Sequence, residues 1–213
     1  MRSTTIHLYK WIFILGCFVL GGCDSDAFAA NTPTQAIKET TNTLLAVLED
    51  PQFSPVEKTA ERRTRLQDIL LTRFDYKAMA KRTLPKHWKE QSVEEKLEFT
   101  SLLSALLMNS YITIIESRSD EQVEYLDETI RKDFARVRTK IVTKSGTIPV
   151  EYRMRHKNGE WLVYDVIIES VSLVGNFRKQ FDRIIRSGSF ITLIERLREK
   201  TSASPSPSPS PSP

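Results

Sequence analysis

Residues 159–181 restrict the fold more than any other part of the chain, because a strand that is apolar on both faces runs directly into an amphipathic helix. Strict alternation divides six apolar side chains of the strand between its two faces: Trp161, Val163 and Ile167 on one, and Leu162, Val166 and Ile168 on the other. Beyond the strand, Val174, Phe177, Phe181 and Ile184 recur at helical spacing. Because neither strand face suits water, such a strand beside aliphatic helices can enclose apolar material.

The first 22 residues have the composition of a secretory leader. Arg2 and Lys10 precede an apolar run at residues 11–20, and small residues follow that run. The run is too short to cross a bilayer comfortably, whereas a signal peptide needs only such a core between a positive end and small residues. We therefore expect residues 1–22 to direct export and to be removed.

Two processing sites compete after this leader. Residues 20–23, Leu-Gly-Gly-Cys, resemble a lipobox, in which Cys23 is lipidated and becomes the new N-terminus. Residues 27–29, Ala-Phe-Ala, resemble an ordinary signal-peptidase site, and cleavage after Ala29 would release a soluble protein that begins at Ala30. Several acyl chains on Cys23 would hold the protein at a membrane, since one chain anchors only weakly. A third alternative is that Cys23 is only a small apolar residue of the leader.

Cysteine usage and charge limit the class of protein. Both cysteines, Cys17 and Cys23, lie in or at the edge of the leader, so the domain at residues 30–200 has no disulfide and depends on its core for stability. Loss of the leader removes Arg2 and Lys10 and no acidic residue, which lowers the formal charge from +4 to +2 (4 − 2). This charge is too small, and the basic residues are too evenly mixed with acidic ones, to indicate nucleic-acid binding.

The C-terminal residues 201–213 are almost entirely a Ser-Pro repeat. Proline interrupts helices and sheets and serine offers nothing to bury, so we expect a disordered, extended and solvated tail. A passive tail and a spacer that threads through a cell wall are the two alternatives for its role.

The first half of the domain carries helical signals. Four helix starts are marked by capping residues or proline: Thr32 before Pro33, Ser54 with Glu57, Asp75, and Ser92 with Glu95. Pro85 ends the short third helix. The fourth helix is the longest, and its apolar surface is broader than a two-sided contact needs.

The second half alternates as antiparallel strands do. Strands are expected at residues 134–143, 148–155 and 161–168, with a weaker one at 122–131. Asn158-Gly159 predicts a type I′ hairpin between the last two, and the chain returns to helix after Ser172. The fold class is therefore α+β, a curved antiparallel sheet of about four strands whose apolar face is covered by helices.

The residues do not indicate catalysis. His87 and His156 accompany no nucleophile motif, no ligand set has metal-binding spacing, and no phosphate-binding loop is present. Tyr164 and Asp165 could suggest an acid–base pair, but adjacent strand residues point to opposite faces. We interpret Asp165 as a structural hydrogen-bonding or ion-pairing group and Ser172 as a helix cap.

Two blocks of the sequence together carry a family resemblance. The first block comprises Phe74-Asp75-Tyr76, Met79-Ala80, Trp88, Phe99, Leu106-Leu107 and Ser110-Tyr111. The second and more specific block comprises Val137-Arg138-Thr139-Lys140, Gly159-Glu160-Trp161, Val163-Tyr164-Asp165-Val166, Glu169, Val171-Ser172-Leu173-Val174, Asn176, Arg178, Gln180 and Phe181. Over residues 34–200 the chain thus resembles the MlaC family, also called the toluene-tolerance auxiliary family. The chain departs from the family pattern at three positions: Ser170 and Pro85 replace glycine, and Phe177 replaces tyrosine.

The resemblance implies a nuclear-transport-factor-two-like sheet with a helical subdomain and an apolar cavity between them. It also implies a periplasmic phospholipid carrier, not an enzyme and without cofactor or metal, that shuttles lipid between the outer and inner membranes. The implied partners are an outer-membrane lipoprotein complex and an inner-membrane ABC transporter with an MCE-domain subunit. Two other classes stay open: an interaction-only lipoprotein with a solid core, and an enzyme on a cone-shaped sheet fold.

The same interpretation predicts which side chains contact the lipid. The wall residues expected to contact acyl chains are Phe74, Trp88, Leu103, Leu107, Tyr111, Val137, Ile141, Val150, Tyr152, Val166 and Ile168. Arg178 and Lys179 are expected to meet a head group that remains in water at the mouth of the cavity.

Overall fold

The computed structural model describes residues 32–117 and 121–202. The predicted leader at residues 1–22, Cys23, the alternative cleavage site after Ala29 and residues 203–213 lie outside the described residues. The predictions about leader, lipidation and tail therefore stay predictions. At the C-terminal boundary, the last helix continues to Ser202, two residues beyond the expected end of the domain at Lys200.

Six α-helices and five strands make up the described part of the chain. The helices are α1 (Pro33–Glu49), α2 (Thr59–Arg73), α3 (Tyr76–Thr83), α4 (Val93–Glu116), α5 (Leu173–Ser187) and α6 (Phe190–Ser202). The strands are β1 (Gln122–Arg131), β2 (Phe134–Thr143), β3 (Gly146–Lys157), β4 (Glu160–Ile168) and β5 (Val171–Ser172). Short 3₁₀ turns occur at Pro51–Phe53, Val56–Lys58 and Trp88–Glu90.

Most of the expected helix caps are formed. The Thr32 side chain accepts a hydrogen bond from the Gln35 N–H (3.1 Å), with proline at the first position of α1. Asp75 caps α3. Ser92 and Glu95 form both hydrogen bonds of a capping box at α4, which satisfy two N–H groups that the helix itself leaves unpaired.

The capping box expected at Ser54 is wrong. Phe53 is buried and anchors a 3₁₀ turn that Asp50 caps, so Ser54 takes a helical conformation as the last residue of that turn. A residue in that conformation cannot also serve as an extended N-cap. A second 3₁₀ turn follows at Val56–Lys58, and α2 begins only at Thr59.

The five strands form one antiparallel sheet in the order β1-β2-β3-β4-β5. This confirms the expected α+β class, with a full ten-residue strand at Gln122–Arg131 and a two-residue fifth strand paired to the end of β4. Asn158 and Gly159 both have positive φ (52° and 84°), as a type I′ hairpin requires. The Glu169-Ser170 turn between β4 and β5 also has positive φ at both residues (48° and 70°).

A bulge in β4 changes which side chains share a face. Met154 pairs with Val163 and Arg153 pairs with Asp165, so Tyr164 is an extra residue in the ladder. The expected strict alternation along β4 is therefore wrong. The face that packs on the helices carries Trp161, Val163, Val166 and Ile168 together, and Leu162 and Ile167 lie on the other face.

Within residues 32–117 and 121–202, the core consists of three apolar clusters. The sheet cluster lies between the sheet and the start of α1, and includes Ala36, Ile37, Ala135, Val137, Val150, Met154, Trp161, Val163 and Val166. The helical cluster joins α3, α4, α5 and α6, and includes Met79, Trp88, Phe99, Leu103, Leu107, Val174, Phe181 and Leu193. The α2–α4 cluster contains Leu66, Leu70, Met108 and Ile112.

Helix α4 contributes to two of these clusters. Phe99, Leu103 and Leu107 belong to the helical cluster, whereas Met108 and Ile112 pack toward α2. By length and composition α4 is the one helix in the described part of the chain that could cross a membrane, but six of its residues lie in the protein core. Contacts on several sides explain its broad apolar surface.

Candidate ligand-binding cavity

A largely apolar cavity of about 280 Å³ lies where the three clusters meet without merging. Its size is roughly twenty times the 10–15 Å³ that one buried water requires and close to the lower limit of about 300 Å³ for small-molecule pockets. The sheet side of the lining consists of Val123, Ile141, Val150, Tyr152, Val166 and Ile168. The helix side consists mainly of Ile37, Leu44, Leu45, Leu48, Leu70, Tyr76, Met79, Leu107, Met108, Tyr111, Ile112, Ile114 and Ile115.

One face of α1 forms a continuous wall of the cavity. The lining residues of α1 follow helical spacing: Ile37, Thr40, Thr41, Leu44, Leu45 and Leu48. Leu44, Leu45 and Leu48 face the cavity and yet are only half-buried. Leu44 and Leu48 also pack against the α2–α4 cluster, so the surface that stays accessible on these leucines is the part beside the cavity.

The second half of α4 forms the opposing wall. Tyr111, Ile114 and Ile115 line it, and Ile114 is 39 % exposed, so the wall meets solvent at this end. Glu116 ends the helix and accepts hydrogen bonds from Arg62 (2.9 Å) and Arg63 (2.8 Å). Burial opposes ionisation of Glu116, but these hydrogen bonds outweigh it and lower the pKa of the carboxyl group. These two salt bridges connect the end of α4 to α2.

Arg73 is the cation in the described lining, and its guanidinium group already has partners. It donates to the carbonyl of Trp161 (2.8 Å) and to the Thr40 hydroxyl (2.9 Å), and it lies 3.5 Å from the Glu160 carboxylate. Arg73 therefore joins α2 to both α1 and β4. These bonds satisfy its charge within the protein, so the arrangement leaves the cavity itself suited to uncharged groups.

Among the residues that the structure describes, three tyrosines line the cavity, and burial keeps all of them neutral. It raises the pKa of Tyr76 and of Tyr152 to about 12, and a second cause at Tyr152 is the nearby phenol of Tyr125. Burial also raises the pKa of Tyr111. Neutral phenols cannot act as bases near neutral pH, but they can donate hydrogen bonds.

The polar residues near β4 have structural partners. Asp165 is buried and accepts hydrogen bonds from the Ser172 hydroxyl (2.7 Å) and the Val174 N–H (3.1 Å). The guanidinium group of Arg82 instead lies over the ring of Tyr164, with its central carbon 4.1 Å from the ring centre. The two side chains thus have separate environments and do not form an acid–base pair. Across residues 32–117 and 121–202, no group of three or more His, Cys, Asp or Glu could hold a metal ion.

The structure brings eight of the eleven expected wall residues to the cavity. They are Phe74, Leu107, Tyr111, Ile141, Val150, Tyr152, Val166 and Ile168. Their contact with acyl chains remains a prediction.

Trp88, Leu103 and Val137 do not border the cavity. Trp88 and Leu103 belong to the helical cluster, where the Trp88 ring packs edge-on against Phe99 at 6.5 Å. Val137 is fully buried in the sheet cluster. The apolar pattern of a helix or strand shows which face is buried, but it does not distinguish packed positions along that face from positions beside a void.

Arg178 and Lys179 are exposed on α5 and are not part of the cavity lining. Phe177 and Phe181 pack inward, which places Lys179 on the opposite face of α5 and Arg178 on its flank. Arg178 donates a hydrogen bond to the Arg82 carbonyl at 2.9 Å. The expected position of these residues at the cavity mouth is therefore not supported by the geometry.

Sequence reasoning missed the contribution of α1. Leu44, Leu45 and Leu48 form a large part of the wall, and Arg73 and Val123 also line it. The helical repeat of apolar residues in α1 was a usable signal, because it predicts one buried face. It did not show what that face would meet.

Comparisons with known proteins agree with this geometry. The family model described as "MlaC protein" matches residues 38–199. The "intermembrane phospholipid transport system binding protein MlaC" of Haemophilus influenzae is 24% identical over 205 residues, covering 92% of this chain and 95% of that protein. A phospholipid-binding protein from Ralstonia solanacearum, solved in complex with a phospholipid, superposes with a TM-score of 0.69 at 20% identity, covering 78% of this chain and 95% of that one. At that identity the structural likeness establishes a shared fold.

Proposed function

The chain belongs to the MlaC family, and from this premise we propose that it is a phospholipid carrier that encloses acyl chains in its cavity. The observation that carries the proposal is the cavity, whose two walls of aliphatic side chains are only partly covered by other protein atoms. Covering apolar surface of this kind with hydrocarbon lowers the free energy by about 25 cal/mol per Å².

A carrier of this type overcomes a large energetic barrier. Two acyl chains contain roughly 30 methylenes, and exposing them to water costs on the order of 20 kcal/mol or more at about 0.8 kcal/mol each. Unassisted passage between two membranes is therefore negligible. A protein that offers a comparably apolar interior allows passage without breaking any bond, so the proposal requires no catalytic residue and we propose no enzymatic activity.

In the proposed setting the carrier works in the periplasm as the auxiliary component of an ABC transport system. It exchanges phospholipid with an outer-membrane lipoprotein complex and with an inner-membrane ABC transporter that has an MCE-domain subunit. The name of the Haemophilus influenzae relative, which includes intermembrane phospholipid transport, supports this assignment. The phospholipid in the complex of the Ralstonia solanacearum protein supports the proposed ligand class.

Each of the two alternative functions predicts a different interior for the domain. An interaction-only protein with a solid core would lack the 280 Å³ cavity. A buried carboxylate without a partner in the cavity would favour an enzyme on this fold, but Glu121, the carboxylate in the described lining, has an interaction partner.

The proposal is tested by analysing what the protein carries. Protein purified from its native host and extracted with organic solvent should yield about one phospholipid per chain by mass spectrometry. Leu45→Asp places a charge on the cavity wall without disturbing the three clusters, and we expect it to lower the bound lipid at least about tenfold, since burying a carboxylate beside hydrocarbon costs several kcal/mol.

Ala46→Asp is the matched control, because Ala46 neighbours Leu45 on α1 but is exposed. It should retain the lipid. Well-folded unmodified protein without phospholipid, or equal lipid loss in both variants, would refute the carrier function.

We also propose that lipidation of Cys23 attaches the carrier to a membrane. Cys23→Ala should then move the protein from the membrane to the soluble fraction. Unmodified protein that is already soluble would instead indicate cleavage after Ala29.

A further inference from the structure

Tyr111 differs from the other tyrosines around the cavity in the polar protein groups near its hydroxyl. The hydroxyl of Tyr76 donates a hydrogen bond to the Met108 sulfur at 3.9 Å. Thr139 is the diagonal cross-strand neighbour of Tyr152 and gives its hydroxyl a polar protein neighbour. Tyr111 lines the same cavity, but its hydroxyl forms no hydrogen bond with any residue in the described part of the chain.

An unpaired hydroxyl in an apolar setting is unusual. More than about nine in ten buried polar groups in proteins have a hydrogen-bond partner, and one without a partner costs about 1–3 kcal/mol. The lining around Tyr111 is mainly aliphatic, with Leu107, Ile112 and Ile115 on the same helix. Tyr111 is half-buried near the open end of the cavity, so water can bond its hydroxyl when the cavity is empty. A lipid that fills the cavity displaces that water, and an acceptor on the lipid then keeps the hydroxyl paired.

The position of Tyr111 selects the chemistry of that partner. Tyr111 lies about 6 Å, just over one helical turn, before Ile115 along α4, and the wall meets solvent at the neighbouring Ile114. A charged head group gains by remaining in water beyond this rim. The uncharged acceptors of a diacyl lipid are its ester carbonyls, which join the head group to the chains and thus lie just inside the rim.

We propose that the Tyr111 hydroxyl donates a hydrogen bond to an ester carbonyl of the bound lipid and so fixes how deeply the acyl chains enter. This inference rests on the proposed carrier function and adds a ligand class to it, namely lipids with ester-linked chains. Burial raises the pKa of Tyr111, so the hydroxyl keeps its proton and stays a donor over the physiological range.

The test compares two lipids and two variants of the full-length carrier after removal of its native lipid. The lipids are a diacyl phosphatidylethanolamine and its dialkyl ether analogue with the same chain length, which lacks both carbonyls. Affinity is measured by displacement of the apolar dye N-phenyl-1-naphthylamine. Tyr111→Phe removes the unpaired hydroxyl, and Tyr76→Phe makes the same change at a hydroxyl that already has a protein partner.

We expect Tyr111→Phe to weaken binding of the diacyl lipid about two- to tenfold, the range of one net hydrogen bond, and to leave the ether lipid unchanged. Tyr76→Phe should affect both lipids equally. With a ¹³C-labelled ester, the carbonyl stretch of the bound lipid should move to higher wavenumber in Tyr111→Phe, because the carbonyl loses a donor.

Unchanged affinity for the diacyl lipid would overturn the inference and leave the carrier function intact. Equal weakening for diacyl and ether lipids would also overturn it, since Tyr111 would then act only through packing. Failure of both lipids to displace the dye from the unmodified protein would instead reject the carrier function itself.

Discussion

The two halves of the inner sheet face differ although the same helix, α1, covers both. In the filled half, Val137, Met154 and Val163 are fully buried. In the hollow half, Ile141 and Ile168 lie on the same face of the sheet but remain half-buried and border the cavity. Apolar composition is similar in the two halves, so composition does not decide whether a core is solid.

The path of α1 accounts for the difference. At its beginning, Ala36 packs in the same cluster as Ala135, and two methyl-sized side chains allow the helix to lie close to the sheet. Further along, Leu44 and Leu48 pack with the α2–α4 cluster instead of the sheet. A helix that is held by the sheet at one end and by other helices at its far end leaves space beneath it.

The largest expected effect contrasts single alanine substitutions in the two halves. Met154→Ala should lower the free energy of unfolding by about 2–5 kcal/mol, because it removes fully packed atoms and leaves a new void. Ile168→Ala belongs to the same class of change but should cost less than about 1.5 kcal/mol, since part of its side chain already borders a void. Urea unfolding of the lipid-free protein measures both, and equal losses would show that the halves are packed alike.

Enlarging a side chain should lower stability in the filled half and lower lipid binding in the hollow half. Val137→Phe overfills a packed position and should destabilise the protein by about 1–3 kcal/mol. Ile141→Phe, on the same face of β2, should change stability by less than about 1 kcal/mol and reduce lipid binding, because the added ring can occupy the cavity. Thermal unfolding and lipid titration of both variants check this. Destabilisation of similar size at both positions would argue for a uniformly filled core.

The ionisation of Tyr152 reports whether the cavity excludes bulk water. In the unfolded chain this phenol ionises near pH 10, whereas burial raises its pKa in the folded protein to about 12. The folded state thus favours the neutral phenol; its contribution is complete below about pH 10 and is lost as the pH rises through about 12. We expect unfolding free energy to fall less over this interval in Tyr152→Phe than in the unmodified protein. Identical pH dependence would indicate that Tyr152 contacts bulk water.

The smallest expected effect lies at the turn between β4 and β5, outside both halves. Ser170 has a φ of 70°, which glycine adopts without strain and other residues adopt at a cost of about 1–2 kcal/mol. Ser170→Gly should raise the free energy of unfolding by about 0.5–1 kcal/mol, after allowance for the greater freedom of glycine in the unfolded chain. Lipid binding should not change, which separates stability from cavity shape. Calorimetry that shows a loss of stability would contradict the strain at Ser170.

Local signals in the sequence were sufficient to predict most of the helices, strands and turns of the fold. The alternation in residues 134–143 matches β2 residue for residue, and Asn158-Gly159 forms the expected hairpin. The caps at Asp75 and Ser92 were predictable because each depends on residues three positions apart. Patterns confined to one strand or one turn can be recognised without knowledge of the tertiary structure.

The features that define the cavity depend on contacts between distant segments. The bulge at Tyr164 depends on pairing with β3, and it places Val163 and Val166 on one face where alternation separates them. The departure of α1 from the sheet depends on its contacts with α2 and α4. For the same reason Val137 and Ile141 looked equivalent in sequence, although only Ile141 borders the cavity.

Magnetic resonance of the lipid-bound protein tests the division between the halves most directly. The protein would carry labelled methyl groups on Ile, Leu and Val, with a phospholipid whose acyl chains are protonated. We predict cross-relaxation from chain protons to the methyl groups of Leu45, Ile141 and Ile168, and none to those of Val137 or Val163. Equally strong transfer to Val137 and Val163, or no transfer to any of the five residues from a stoichiometrically bound lipid, would contradict the hollow half as the place where the chains lie.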